Sequence, residues 1–321
     1  MRQDVLEMVK AYIASGIFPG ASFAIVNGSE IEKYVIGNDS LKPEIRPLQP
    51  DMAYDLASVS KVVGTGTVVI NLIFSGKLAL DALLTDYYPD FEGGQVTIRQ
   101  LLTHTSGVDP FIKNRNRLAY DQLRVALNQV KITDDKSFHY SDVNFILLGF
   151  MLETIFQQDL DVILQTQVFQ PFGMTRTSFT APKQTVRTAW ELPRGVVHDP
   201  KAQVLGVHTG SAGLFSDLDD LVRFCQAYFS DTRYLKLLQN YAQADDMPRS
   251  LAWDILDETS ENGVQWLIHT GYTGTFLMIN LVTKQAVIFL SNRVHLHDDR
   301  LQWLKNRNLL IKLFVNLMKI V

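Results

Sequence analysis

One cysteine in 321 residues, Cys225, excludes an intrachain disulfide and any zinc site built on several thiolates. It sits in Leu221-Val222-Arg223-Phe224-Cys225, an apolar helical pattern, and reads as a core residue. No Cys/His cluster stands at metal-ligand spacing, so neither a metal nor another cofactor is expected. Charge of one sign is also scarce. Thirty Lys and Arg face 34 Asp and Glu, for a net charge of −4, and both signs are scattered along the chain. With no basic run, neither nucleic acid nor an anionic membrane surface is an expected partner. No uninterrupted stretch of about 18 apolar residues is visible, so no spanning helix is expected. The opening, Arg2 to Glu7, is a charged amphipathic helix start rather than a basic segment followed by an apolar run, which points to a cytoplasmic protein. Internal repeats and low-complexity segments are absent from the sequence.

What is present is apolar bulk: 46% of residues, enough for one big domain or two interleaved ones. Apolar spacing predicts a helix over 2–15. Ala21 to Val26 and Ile31 to Ile36, split by Asn27-Gly28, predict a hairpin. Residues 38–54 read as loop. After Gly76 the pattern turns helical, with helices expected from Thr97 as N-cap, over 117–130, from Asp142 to Ile155 and over 160–169. Residues 180–215 read as irregular. Leu218 to Phe229 reads as helix capped by Ser216. Gly263 to His269, Thr275 to Val282 and Ala286 to Ser291 read as strands, and Leu301 to Met318 as a last helix. Strands near both chain ends with helices between them predict an α+β fold. Its antiparallel sheet domain is expected over 1–76 and 206–321, with a mainly helical insertion at 77–205.

The chemistry centres on Leu56-Ala57-Ser58-Val59-Ser60-Lys61. At i and i+3 of a helix, Ser58 and Lys61 share a face, beside an N-terminus whose dipole favours developing negative charge. A serine needs a group to take its proton before it is a useful nucleophile. A lysine whose pKa is lowered by burial or by other cations can do that. Alone, the tetrapeptide equally suits a capping serine with a surface lysine. Ser60 faces away from the pair.

Two later stretches offer partners. In His139-Tyr140-Ser141-Asp142-Val143-Asn144 a phenol, Tyr140, is available to relay a proton, while Asp142 suits a helix N-cap. In Trp266 to Thr275, read as an edge strand and glycine-rich turn, His269 and Thr270 are suited to orient a substrate. Gly271 there permits close approach to the backbone, and an N–H of this strand suits an oxyanion hole with that of Ser58.

In this order the three stretches resemble the motifs Ser-x-x-Lys, Tyr-x-Asn and Lys/His-Thr/Ser-Gly of the serine β-lactamase and penicillin-binding protein superfamily, nearest the branch of class C β-lactamases, D-alanyl-D-alanine carboxypeptidases and family VIII esterases. Leu101-Leu102-Thr103-His104-Thr105-Ser106-Gly107, Pro171-Phe172-Gly173-Met174, Ser211-Ala212-Gly213-Leu214-Phe215-Ser216 and Ser291-Asn292-Arg293 match too. The resemblance runs from about Pro19 to His295. It implies a β-lactamase-like fold in which Ser58 is acylated and Lys61 accepts its proton. Tyr140 then serves the leaving group and the deacylating water, and Tyr272 gives the second oxyanion N–H. Asp142, His269, Thr270 and Gly271 would line the substrate site.

Two positions depart from the family pattern. Asp142 replaces asparagine, and an ionised carboxylate has no N–H to offer a substrate amide. His269 replaces lysine and, when neutral, pulls less on a substrate carboxylate. Both changes fit an esterase or peptidase-like hydrolase better than a dedicated β-lactamase. The expected partner is a small-molecule or peptide acyl donor, an ester or an amide, with specificity set by loops 108–118 and 185–210. The alternative is a penicillin-binding sensor that acylates without turnover. His104, His198 and His208 read as structural or loop residues, and Ser211 lacks the spacing of a competing nucleophile.

Overall fold

The computed structural model describes residues 2–242, 247–256 and 265–319. In chain order these form α1 (Arg2–Ala14), β1 (Gly20–Asn27), β2 (Glu30–Ser40), β3 (Arg46–Pro47) and β4 (Tyr54–Asp55). Then come α2 (Thr67–Phe74), α3 (Ile98–Leu102), α4 (Tyr120–Asn128), α5 (Asp142–Phe156), α6 (Leu160–Leu164) and α7 (Pro200–Leu205). The chain closes with β5 (Phe215–Ser216), α8 (Leu218–Ser230), β6 (Asp254–Leu256), β7 (Trp266–Thr270), β8 (Phe276–Asn280), β9 (Gln285–Ser291) and α9 (Arg300–Met318).

Seven strands pair in the order β3-β2-β1-β9-β8-β7-β6, every neighbour antiparallel. The sheet therefore joins the first fifth of the chain to the last quarter, as the strand-rich ends predicted. Its middle strands read as continuous apolar runs because both faces are covered. Phe23, Phe276 and Phe289 point to one face, where they meet Phe314 of α9 and a core that includes Val5 and Val9 of α1. Their neighbours Ala24, Leu277 and Ile288 point to the other face and join the larger core shared with the helices of the middle of the chain. Phe289 sits opposite Phe23 on one side and Phe276 on the other. Its ring stacks on Phe276 with centroids 4.9 Å apart, and such cross-strand pairs pin the register.

Several expectations are corrected. The run Ala57–Phe74 is long and apolar enough to cross a membrane by length and composition; its serines, threonines, glycines, asparagine and single lysine hide it from a search for unbroken apolar residues. In the fold, 72% of it is buried, in the core of the protein. β7 is not an edge strand, since β6 covers its free side. The first two positions of the predicted run Gly263 to His269 lie outside the described residues. The stretch 180–215 contains α7, announced by Asp199 as N-cap and Pro200 at the first helical position, a start signal that a reading for irregular loop passed over. Helix α8 is capped by Asp217 rather than Ser216, its carboxylate accepting from the Asp220 N–H at 3.0 Å.

Candidate active site

The segment before Ser58 is stitched to two parts of the fold. β4 pairs with β5, and the Leu56 N–H donates to the Leu214 carbonyl at 2.9 Å. From the other side, Thr273 Oγ1 donates to the Asp55 carbonyl at 2.8 Å and Thr275 Oγ1 to that of Leu56 at 2.9 Å. This is why Gly271 is glycine. A Cβ there would lie 2.5 Å from the Leu56 carbonyl oxygen, so any side chain would push β7 off the nucleophile segment. Ala57 is held at φ 47°, the left-handed region that a residue with a Cβ rarely adopts. The Asp55 carboxylate secures that turn by accepting from the Ala57 N–H at 2.9 Å and from the His198 N–H at 2.7 Å. Burial outweighs these two donors and raises the Asp55 carboxyl to about 6.

Ser58 then opens a 3-10 turn (Ala57–Val59), followed by a π turn (Val62–Gly66) leading into α2. Gly66 belongs to the π turn because a Cβ there would lie 2.6 Å from the Lys61 carbonyl oxygen. The wide turn sits directly after Lys61, a place where such turns recur at functional sites.

Lys61 is wholly buried and spends its three protons on Ser58 Oγ at 3.0 Å, Asp142 Oδ1 at 2.7 Å and the Ser211 carbonyl at 3.0 Å. Its ammonium also lies 5.0 Å from the Tyr140 ring centre. Burial acts to discharge Lys61, but Asp142 and Tyr140 outweigh it and raise its pKa above the ordinary lysine value. The lowered pKa considered from the sequence is thus reversed, because Asp142 turns away from capping and toward the lysine. The cap of α5 is Ser141, whose hydroxyl accepts from the Val143 N–H at 3.3 Å.

Asp142 has a second cation. Its Oδ2 lies 3.1 Å from Lys201 Nζ, and Lys201 in turn reaches Asp199 Oδ2 at 2.8 Å. Burial works against the Asp142 charge, yet Lys61 and Lys201 hold its carboxyl well below the usual range. Lys201 is missing from the sequence reading, although the α7 start signal would have placed it in the first turn of a helix.

Tyr140 stands over Ser58 and Lys61. Crowding by the cleft walls raises its phenol against the weaker pull of Lys61, and with 47% of the residue open to the cleft, solvent tempers both. His104 packs beneath it, ring centres 4.5 Å apart. His104 Nδ1 accepts from the Ser141 N–H at 3.3 Å and pairs with Asn144 Nδ2 at 2.9 Å, which makes it the unprotonated nitrogen of a neutral ring. His104 thus seats the Tyr140–Asn144 turn. Ser60 and Ser211 are structural as well: Ser60 Oγ accepts from the Leu214 N–H at 3.2 Å, and Ser211 meets Lys61 through its carbonyl.

β7 brings the third motif alongside. His269 is buried, its Nδ1 without a hydrogen-bond partner among the described residues, and burial followed by Lys61 and Arg249 holds it neutral, well below the ordinary histidine value. Thr270 Oγ1 accepts from Arg307 Nη1 at 3.2 Å. Tyr272 is held through its carbonyl by Arg293 Nε at 2.8 Å, through its hydroxyl by Asp298, and across its ring by His198. All eight site residues expected from the sequence thus gather around one cleft or behind its wall.

That cleft, about 290 Å³, is lined by Ser58, Tyr140 and the 269–272 segment on one side. On the other it is lined by Arg249, Arg293, Arg300 and Arg307, of which the sequence reading named only Arg293, in the Ser291-Asn292-Arg293 match, because they come from three separate segments. Asp254 pairs with Arg249, and Asp298 with Arg293. Among the described residues, Arg307 hydrogen-bonds the neutral groups Thr270 and Asn308, and burial, against the weaker pull of Asp254, lowers its pKa below the ordinary arginine value. A larger open cavity of about 810 Å³ lies beyond His198 and touches none of the three motifs. Far from Ser58, Glu153, Asp159 and His208 bring potential ligand atoms within 4.8 Å of one another, but Arg124 stands 3.6 Å from Glu153 and supplies the balancing charge.

Comparison with known proteins agrees with this geometry. The family model described as Beta-lactamase matches residues 5–311. A protein of Salmonella gallinarum named "Putative D-alanyl-D-alanine carboxypeptidase" is 29% identical over 304 residues, covering 75% of this chain and 69% of that protein. Among solved structures, "EstCE1, a hydrolase with promiscuous acyltransferase activity" superposes with a TM-score of 0.76 at 19% identity, covering 91% of this chain and 93% of its own. A class C beta lactamase from Rhodobacter sphaeroides does so with a TM-score of 0.75 at 18% identity, covering 97% and 99%. With the family model spanning nearly the whole chain and a serine, a lysine and a tyrosine converging in one cleft, this protein belongs to the Beta-lactamase family and is a serine hydrolase.

Proposed function

We propose that the protein hydrolyses acyl donors bearing a carboxylate, of the D-alanyl peptide type, through an acyl-enzyme on Ser58. The observation that carries the reading is the direct contact of Lys61 Nζ with Ser58 Oγ, 3.0 Å, in a cleft walled by arginines. In the proposed cycle a Lys61 that has lost its proton accepts the one on Ser58. The Oγ–acyl bond forms, the bond to the leaving group breaks, and the leaving group takes a proton through Tyr140. Water then attacks the acyl carbon, its proton returns through Tyr140, and Ser58 is released. The Ser58 N–H, in the first turn of a helix and so without an intrahelical acceptor, would pair with that of Tyr272 on the carbonyl oxygen. Arg307 and Thr270 would hold the substrate carboxylate, a task that a neutral His269 cannot do by charge. The name of the Salmonella relative, a carboxypeptidase whose substrate ends in a free carboxylate, supports the same reading.

The test is hydrolysis of a D-alanyl-D-alanine peptide and of its C-terminal amide, with intact mass recorded under turnover. A Ser58 adduct and a preference of at least tenfold for the free acid are expected. If Ser58→Ala hydrolyses as wild type does, the reading is wrong. A second reading, an acylated sensor, is favoured by one observation: Asp142 keeps Lys61 charged, which withholds a base from deacylation. A stoichiometric adduct without multiple turnover would select it.

A further inference from the structure

Asp142 lies between two ammonium groups, Lys61 on Oδ1 and Lys201 on Oδ2, and Lys201 is closed off by Asp199. The row Lys61, Asp142, Lys201, Asp199 alternates in sign and sums to zero. Lys201 is only 8% exposed and comes from α7, a helix that contributes nothing else to the motifs. A buried lysine is costly unless it is matched, so its place behind Asp142 calls for an account.

We propose that Lys201 is a positioning residue for acyl transfer: by neutralising and holding Asp142 from behind, it limits how tightly that carboxylate retains the proton of Lys61. This rests on the reading of Ser58 and Lys61 as nucleophile and proton acceptor. The reasoning is electrostatic. A carboxylate serving one ammonium would bind its proton as firmly as a buried pair allows, and Lys61 would seldom be free to accept the proton of Ser58. A carboxylate shared with a second ammonium attracts the first less, and the second ammonium also repels it. Lys201 reaches neither Ser58 nor the cleft lining, so it acts on Lys61 through Asp142 and through the repulsion of the two ammonium groups.

The other charged or titratable groups around Lys61 are Tyr140 from the turn before α5, His104 from the loop after α3, His269 from β7 and Arg249. Burial keeps both histidines uncharged, and Arg249 is paired with Asp254. The lysine–carboxylate row, together with Tyr140, therefore sets the proton affinity of Lys61.

The arrangement predicts shifts of opposite sign from its two ends. Lys201→Gln leaves Asp142 to Lys61 alone, so Lys61 holds its proton more tightly. Asp199→Asn leaves Lys201 unmatched, so Lys61 holds its proton less tightly. An asparagine caps α7 as well as an aspartate does, so this second variant keeps the helix start. The readout is the second-order rate of Ser58 labelling by a fluorophosphonate as a function of pH, which needs no knowledge of the natural substrate. The rising limb should move up by about one pH unit in Lys201→Gln and down by a similar amount in Asp199→Asn, with Lys201→Arg restored to wild type. Should Lys201→Gln fail to fold, the downward shift in Asp199→Asn decides the matter alone. Limbs that coincide with wild type, or that move in the same direction in both variants, overturn the proposal while leaving Ser58 labelling intact. Loss of labelling specificity, with Ser58→Ala labelled as wild type is, would instead overturn the reading of the nucleophile.

Discussion

Asp142→Asn is the sharpest single perturbation of this site. At 2.7 Å the Lys61–Asp142 pair attracts by about 6 kcal/mol at an effective dielectric constant of about 20. The cost of burying both charges offsets part of this, and removing one partner of such a pair typically costs about 3–5 kcal/mol. Asparagine keeps the shape, so the loss falls on the charge of Lys61, left buried with Lys201 as a like neighbour. At about 1.4 kcal/mol per unit, the Lys61 pKa should fall by roughly two to three units. In wild type its folded value is raised above 10.5, so its contribution is fully present below that pH and lost as pH rises beyond it. That fall is about as large as the wild-type rise, so in the variant the folded value returns to near the unfolded one and this contribution is lost. Urea unfolding should therefore show a loss of about 3–5 kcal/mol at pH 7 that persists at pH 9, since both lie below the unfolded value. The rising limb of Ser58 labelling should move down by about two pH units. A stability loss below about 1 kcal/mol, with an unmoved limb, would refute the argument that Asp142 sets the charge of Lys61.

Three further outcomes are expected. Lys61→Ala should lower kcat by more than about 10²-fold, the scale of a lost general base, with a flattened pH–rate profile; an unchanged profile would remove Lys61 from that role. Asp55, raised to about 6, favours the folded state when protonated, so its contribution is full below 3.8 and is lost as pH rises through about 6. Asp55→Asn should therefore flatten the stability profile between pH 4 and 7 by about 2 kcal/mol in urea titrations, and parallel wild-type and variant slopes would count against it. Arg307→Met should raise KM for carboxylate-bearing donors about tenfold, the scale of a charge-assisted hydrogen bond, without a comparable change for neutral esters; an equal effect on both would make Arg307 a structural residue.

Much of the fold was legible because period and punctuation agree with it. The hairpin of β1 and β2 followed from β-rich runs on either side of Asn27-Gly28, and α5 and α9 from apolar spacing. The short β3 and β6 were not legible, since two or three residues leave no period to read. The candidate site divided along the same line. Ser58, Lys61, Tyr140 and the 269–272 segment stand in recognisable local patterns. Arg249, Arg293 and Arg300 with Arg307 come from segments with no shared pattern, and only closure of the cleft aligns them.

The sequence by itself determined the pairing of Ser58 with Lys61 three residues on and the order of the motifs, because each is written in adjacent residues that share a turn or a strand. Only the tertiary structure decided the charge of that neighbour. Lys61 alone is a lysine that burial would discharge; packed against Asp142, 81 residues away, it is an ammonium. Lys201, from a third segment, stands behind that carboxylate. Proton affinity is set by distances of about 3 Å between groups that the chain order keeps apart, and folding alone brings them within that range.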